Sequence, residues 1–253
     1  MRFASLGSGS EGNGLVVEAG ASRVLLDCGF GIADTGRRLE RLGLTPGDLA
    51  AVLVTHEHDD HLRGVFRFAR RHGLPVYLTH GTYRAVGDGA DVQVTLIDSH
   101  TPFTIGDLNV EPFTVPHDAA EPTQFVFGDG ARRLGVLTDS GASTPHIESM
   151  LSGCAALVLE CNHDRQMLAE GPYPPMLKKR VGGRYGHLDN GQAADLLKAI
   201  DCSHLQHVIA AHLSQKNNRP ELAREALSGA LGCEGEWIGI AGQQDGFDWR
   251  MIA

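Results

Sequence analysis

The sequence predicts one compact α+β domain spanning residues 1–253, and three observations carry that expectation. Both outer thirds run strand then helix, the middle is rich in short β-like runs, and no low-complexity linker or like-charge block divides the chain. A local parallel adds to them. Val52-Leu53-Val54-Thr55-His56 and Val208-Ile209-Ala210-Ala211-His212 are each a β-like run that ends in histidine ahead of polar residues and a helix. The pair suggests a weak repeat with two histidines at corresponding strand ends.

Along the chain, Arg2–Leu6, Leu15–Glu18 and Arg23–Asp27 read as consecutive strands, the first two joined by Gly7-Ser8-Gly9-Ser10-Glu11-Gly12-Asn13-Gly14. That loop could cradle a phosphate on backbone N–H groups, or could need glycine only for its backbone freedom. A helix over Asp34–Leu42 stops at Gly43, and the apolar strand Ala51–Val54 leads into the wholly polar stretch Thr55–His61. The helix Gly64–His72 then ends at Gly73. Strands recur at Val76–Leu78, Val92–Leu96, Asn109–Phe113, Gln124–Phe127 and Leu134–Leu137, with a short helix at Gly81–Val86. The last third alternates: strand Ala156–Glu160, helix Asn190–Ile200, strand His207–Ala211, helix Arg219–Leu231, and terminal strands Trp237–Ile240 and Phe247–Met251.

The 22 Lys and Arg against 31 Asp and Glu leave a formal charge of −9, which excludes a uniformly basic coat for nucleic acid but permits a local basic groove. No apolar run approaches the ~18 residues of a membrane span, and the start MRFASLGSGS has no long apolar segment, so the chain is expected to be soluble and cytoplasmic with no membrane partner. Cys28, Cys154, Cys161, Cys202 and Cys233 are odd in number and never spaced C-x-x-C, so neither a disulfide framework nor a thiolate zinc site is indicated.

Histidine is the anomaly, with 13 residues, several directly after strand-like runs. Thr55-His56-Glu57-His58-Asp59-Asp60-His61 sets three imidazoles and three carboxylates behind an apolar strand. Imidazole nitrogen and carboxylate oxygen without thiolate suit zinc, manganese or iron. In a tight turn His56 and His58 can converge on one ion while Asp60 and His61 point to a neighbour, the split that two metals ~3.5–4 Å apart require.

H-x-H-x-D-H after an apolar strand, here His56, His58, Asp60 and His61, resembles the signature of the metallo-β-lactamase fold. The resemblance covers essentially the whole chain and implies an αββα four-layer sandwich: two facing mixed sheets, helices on the outer faces, metals at one edge. It also implies two divalent ions, zinc or manganese. His56, His58 and His117 would hold one, and Asp60, His61 and His212 the other. Asp139 would bridge them, with a hydroxide in the shared open position. Asp27 could accept a proton from a ligand imidazole.

Local strings narrow the likeness. Ala4-Ser5-Leu6-Gly7-Ser8-Gly9-Ser10-Glu11-Gly12-Asn13, Leu159-Glu160-Cys161-Asn162-His163-Asp164, Gly171-Pro172-Tyr173-Pro174, Gly186-His187-Leu188-Asp189-Asn190 and His212-Leu213-Ser214-Gln215-Lys216-Asn217-Asn218 look like the YycJ/WalJ subfamily, bacterial relatives of ribonuclease Z. That implies a phosphodiesterase, a DNA exonuclease in the first instance, with DNA favoured over RNA. Catalytic candidates are Asp60, His187 as the acid that protonates the leaving oxygen, and Glu160, which could orient His187. His163 could contact phosphate or merely pack. Lys178, Lys179, Arg180 and Arg184 lie just upstream of His187, and Lys216, Asn217, Asn218 and Arg219 follow His212, so they are candidates for holding a strand. The competing readings are a small-molecule hydrolase of the same fold, acting on a cyclic phosphodiester, thioester or lactam, and a non-catalytic metal-binding module.

Overall fold

The computed structural model describes residues 1–87 and 91–253. Its first half builds β1 (Arg2–Gly7), β2 (Gly14–Ala19), β3 (Ser22–Leu26), α1 (Ile32–Arg41), β4 (Ala51–Leu53), α2 (Asp59–Leu62), α3 (Val65–His72), β5 (Val76–Thr79), α4 (His80–Val86) and β6 (Val94–Ile97). The second half continues with β7 (Phe103–Ile105), β8 (Leu108–Thr114), β9 (Thr123–Gly128), β10 (Arg133–Leu137), α5 (Pro145–Leu151) and β11 (Ala156–Glu160). Then come α6 (Arg165–Glu170), α7 (Pro175–Val181), α8 (Asn190–Ala199), β12 (His207–Ala211), α9 (Pro220–Leu231), β13 (Ile238–Ile240) and β14 (Phe247–Met251).

The described strands form two seven-stranded mixed sheets, ordered β14-β1-β2-β3-β4-β5-β6 and β13-β12-β11-β10-β9-β8-β7. Strand residues alternate between the two faces, and here both faces are apolar, so the strands read as unbroken hydrophobic runs. Val24, Leu26, Leu53, Phe125, Phe127 and Val158 fill the space between the sheets. Leu25 and Val52 face outward onto Leu39 of α1 and Phe68 of α3, while Leu157 and Leu159 meet Ile147 of α5, Leu196 of α8 and Leu227 of α9. Three buried layers make the four-layer αββα sandwich that the resemblance implied.

Each sheet changes from antiparallel to parallel pairing part-way across, at β3/β4 in one and β10/β11 in the other. This corrects the repeat read from sequence. β4 is the first strand after the change and β12 the second, so His56 and His212 do not sit at corresponding strand ends. The corresponding ends are those of β3 and β10, followed by Asp27-Cys28-Gly29 and Asp139-Ser140-Gly141.

Five elements escaped the sequence reading: β7, α2, α5, α6 and α7. β7 has three residues and exists by pairing with β8 through a tight turn. In α5 and α7 proline lies within the first helical turn, where its missing N–H costs nothing, so prolines that looked like breakers begin the helices. The strand expected over Val92–Leu96 is shifted to Val94–Ile97, beyond the left-handed turn at Asp91 (φ 70°).

Candidate metal centre

The polar segments after β3, β4, β8, β10, β11 and β12 converge at one end of the sandwich, and every metal candidate named from sequence lies there. His56 Nε2 and His117 Nε2 stand 3.0 and 3.2 Å from His58 Nδ1. Beside them, Asp60 Oδ2 is 3.2 Å from His212 Nε2 and 3.5 Å from His61 Nε2. Asp139 lies between the two groups, its Oδ2 3.0 Å from His61 Nε2 and its Oδ1 3.6 Å from His212 Nε2 and 4.0 Å from His117 Nε2. Zinc–nitrogen bonds of about 2.05 Å at a tetrahedral angle separate ligand atoms by about 3.3 Å. The observed spacings fit that donor set.

Two further observations bear on the fit. Asp139 Oδ2 is buried, 3.0 Å from His61 Nε2, and has no hydrogen-bond partner. The second nitrogen of each buried histidine in the two trios is also committed. His61 Nδ1 lies 2.8 Å from Asp27 Oδ2, and His117 Nδ1 2.9 Å from the Gly186 carbonyl. His212 Nδ1 is 3.3 Å from Glu160 Oε1, and His56 Nδ1 3.0 Å from Thr55 Oγ1. With Nδ1 turned to oxygen, each Nε2 is the nitrogen that faces the shared space and can serve a cation. The groups therefore suit divalent cations.

The two trios differ electrostatically. Burial, and then neighbouring imidazoles, hold His56 well below the ordinary histidine value, and burial holds His117 down as well. In the other trio burial also opposes charge, but Asp139, Asp60 and Asp27 more than offset it at His61, and Asp139, Asp60 and Glu160 do so at His212. One trio is an all-nitrogen set whose two buried imidazoles resist charge, while the other is a carboxylate-rich set that attracts positive charge.

Backbone strain collects at the same place. Among the described residues the non-glycines with positive φ are Asp27 (60°), Asp91 (70°), Asp139 (53°) and His212 (55°), and all but Asp91 belong to this cluster. Each ends a strand with a left-handed residue, which turns the chain sharply and leaves the side chain over the sheet edge.

Glu160 and His187 form the third part of the site. Glu160 Oε2 accepts the backbone N–H groups of Ser140 and Leu188, both at 3.0 Å, and Oε1 lies 2.8 Å from His187 Nδ1. Glu160 is fully buried, and burial alone would raise its pKa, but His187 holds it down. Reciprocally, burial disfavours charge on His187 and Glu160 overrides it. His187 lies over His212, ring centroids 5.3 Å apart at 23°. Asp139, Glu160, His187 and His212 are also close enough to surround an ion, but Glu160 is already engaged by two backbone N–H groups, His187 and His212.

His58, Asp60, Asp139, His187 and His212 line a cleft of about 540 Å³. One wall is Tyr173, Leu177, Arg180 and Val181 from α7 and the loop before it, and the other carries Glu57, Asp59 and Asp118. Of the sequence-named substrate contacts, Arg180 lines the cleft, paired at 2.6 Å with Asp118, while Lys179 and Arg184 are exposed nearby in sequence. Three others need correction. His163 is 2% exposed, Asn217 0% and Asn218 6%, so none offers a surface to a strand. Asn218 instead donates to the Cys161 carbonyl and exchanges hydrogen bonds with Asn190, and Asn217 donates to Ser214. Their polarity satisfies a buried turn.

The glycine-rich loop also resolves. The N–H groups of Gly7, Ser8, Gly9, Glu11, Gly12 and Asn13 all donate within the protein, so they do not form a phosphate cradle. Glycine is required by close packing: a Cβ on Gly12 would lie 2.7 Å from the Phe30 ring. What the loop delivers is Asn13. Its Oδ1 accepts from Ser8 Oγ and Gly9 N, which turns its amide nitrogen to Asp60 Oδ2 at 3.2 Å and His61 Nε2 at 3.1 Å. Sequence reasoning missed this residue. It also missed Thr55, whose N–H and hydroxyl both donate to Asp27 at 2.9 Å, and Asn162, which donates to the His212 carbonyl at 3.0 Å. Only Thr55, next to the motif itself, offered a signal.

Comparison with known proteins adds to this geometry. Residues 22–212 match the Beta-lactamase superfamily domain. The chain is 35% identical over 255 residues to Exodeoxyribonuclease YycJ of Bacillus anthracis, covering 99% of this chain and 97% of that one. It is 29% identical to Exodeoxyribonuclease WalJ of Streptococcus pneumoniae, covering 94% and 91%. In three dimensions it resembles the metallo-beta-lactamase fold protein YhfI of Bacillus subtilis, with a TM-score of 0.76, 17% identity and 98% of each chain covered.

Proposed function

The chain belongs to the beta-lactamase superfamily and is a metal-dependent hydrolase, and from that premise we propose that it removes nucleotides from the ends of DNA. What carries the hydrolytic part is the donor set: two trios of ligand atoms about one unpartnered buried carboxylate, with a carboxylate-held histidine beside them that belongs to neither. What carries the choice of DNA is a likeness to an exodeoxyribonuclease along almost the whole of both chains. His56, His58 and His117 would hold one ion and Asp60, His61 and His212 the other, zinc or manganese, with Asp139 shared between them.

When bound, such ions lower the pKa of water toward about 7 and stabilise both the attacking and the leaving oxygen at phosphorus. Everything else falls to the chain's own groups. Asp27, Thr55, Glu160 and the Gly186 carbonyl fix the tautomers of the ligand imidazoles, and Asn13 steadies Asp60. Glu160 holds His187 Nδ1, leaving Nε2–H to pass a proton to the alkoxide that departs as the P–O bond breaks. The cleft is closed on its α7 side, where Arg180 can exchange Asp118 for a backbone phosphate.

Time courses on end-labelled DNA and RNA with defined ends, after adding manganese, zinc or magnesium to stripped protein, test this directly. DNA should shorten stepwise from an end; a protein that loads metal and leaves both polymers intact would overturn the proposal. Binding should weaken linearly in log salt, and reversing Lys179 and Arg180 to glutamate should weaken DNA binding without removing metal. Should a small phosphodiester suffer as much as DNA from that reversal, the segment is not a nucleic-acid surface, and a small-molecule substrate becomes the better reading.

A further inference from the structure

Residues 165–186, from α6 to Gly186, contrast with the acidic chain they belong to. They carry five cations, Arg165, Lys178, Lys179, Arg180 and Arg184, against the single carboxylate of Glu170. They also hold two of the most exposed large apolar side chains among the described residues, Met176 at 78% and Tyr185 at 59%. The same segment holds Tyr173. It is flanked by Pro172, Pro174 and Pro175, which restrict the backbone on both sides. Its ring is half-buried in the wall of the cleft, and among the described residues its hydroxyl makes no hydrogen bond. Its one directed contact is with Lys216 Nζ, 5.8 Å from the ring centroid.

The cleft's two walls suit different parts of a nucleotide. Glu57 and Asp59 repel phosphate, and Asp118 is already paired with Arg180, whereas Tyr173, Leu177 and Val181 offer an aromatic and apolar surface. A phosphodiester held over the histidine and aspartate floor must send its base somewhere, and on the α7 side Tyr173 offers it an aromatic ring. A volume of about 540 Å³ accommodates a nucleotide-sized ligand. Resting on the DNA reading above, we propose that Tyr173 is the platform on which the base of the terminal nucleotide stacks. Lys216, whose Nζ lies over the ring 5.8 Å from its centroid, is placed to meet the neighbouring phosphate.

The test uses the metal-loaded full chain and short DNA strands whose terminal linkage is a cleavage-resistant phosphorothioate. One strand ends in the fluorescent base 2-aminopurine and another in an abasic sugar. The wild type and Tyr173→Phe should quench the terminal 2-aminopurine and bind it equally. Tyr173→Ala and Tyr173→Leu should lose the quenching and bind the base-bearing end about 5- to 100-fold more weakly, the range expected for one base–aromatic stack. All four proteins should bind the abasic end alike. Leucine preserves bulk and apolar packing, so equal melting temperatures with lost quenching isolate the ring itself. Equal losses on both ends, or none on either, would overturn the stacking role while leaving DNA cleavage intact. Failure of the wild type to bind any DNA would instead remove the DNA reading and this inference with it.

Discussion

Asp27 and Asp139 occupy corresponding places in the two sheets, each in a left-handed turn directly beyond the last antiparallel strand, each buried, each touching His61. They grip opposite nitrogens of that one ring. Asp27 is saturated, since its two oxygens receive the Thr55 N–H, the Thr55 hydroxyl and His61 Nδ1. Asp139 leaves Oδ2 without a hydrogen bond, deep in the protein. A buried carboxylate whose valence is filled by donors is a support, and one left open among imidazole lone pairs is a ligand. Position in the fold does not separate them; the hydrogen-bond inventory does.

The largest expected effect tests that distinction at its sharpest. Asp139→Ala should lower activity by more than about 100-fold and bring bound metal from two ions per chain to one or fewer, read by elemental analysis of fully loaded protein. Next comes His187→Ala, which should keep both ions yet slow DNA cleavage by about 10²–10⁴. Its deficit should be much smaller on a nitrophenyl phosphodiester, whose leaving group needs little protonation; equal deficits would end the acid assignment. Asp27→Asn and Thr55→Val, on the saturated side, should weaken metal affinity by about 10- to 100-fold, with activity regained at excess metal. A permanent loss would make Asp27 more than a support.

The smallest effect concerns a saturated carboxylate far from the cleft. Burial alone would raise the Glu18 pKa, but hydrogen bonds from Arg2 and Arg23 outweigh it and hold the group below its ordinary value of 4.5. A depressed carboxylate stabilises the fold above its unfolded pKa, and that contribution fades as pH falls through the folded value. The melting temperature of the wild type should therefore exceed that of Glu18→Gln by about 1–3 °C near neutrality, the gap closing as pH drops below 4.5. A gap that persists in acid would assign the difference to packing.

The same contrast explains what could be read in advance. His56, His58, Asp60 and His61 crowd into one short segment after a strand, and local density of that kind is visible in a one-dimensional string. His117, Asp139 and His212 are single residues at three strand ends, and only a resemblance distinguished them from ordinary turn residues. The partners that complete the cluster were less visible still. A Gly186 carbonyl has no side-chain signature, and Asn13 reaches Asp60 only because two loops 47 positions apart meet. Asn217 and Asn218 erred the other way, since polar residues that satisfy a buried turn look the same in sequence as polar residues awaiting a ligand.

His61 has one further consequence, for the chain's life outside the reaction. Its ring is held from one sheet by Asp27 and from the other by Asp139, and the ions expected around it would draw donors from both sheets at once. Metal then acts as a rivet through the sandwich, adding stability that grows with the logarithm of free ion concentration, about 2.7 kcal/mol at a hundred times the dissociation constant. The amount of folded protein in a cell would accordingly track the supply of metal. Starvation for the ion would be felt first as turnover of the protein by proteases, before it was felt as slow catalysis.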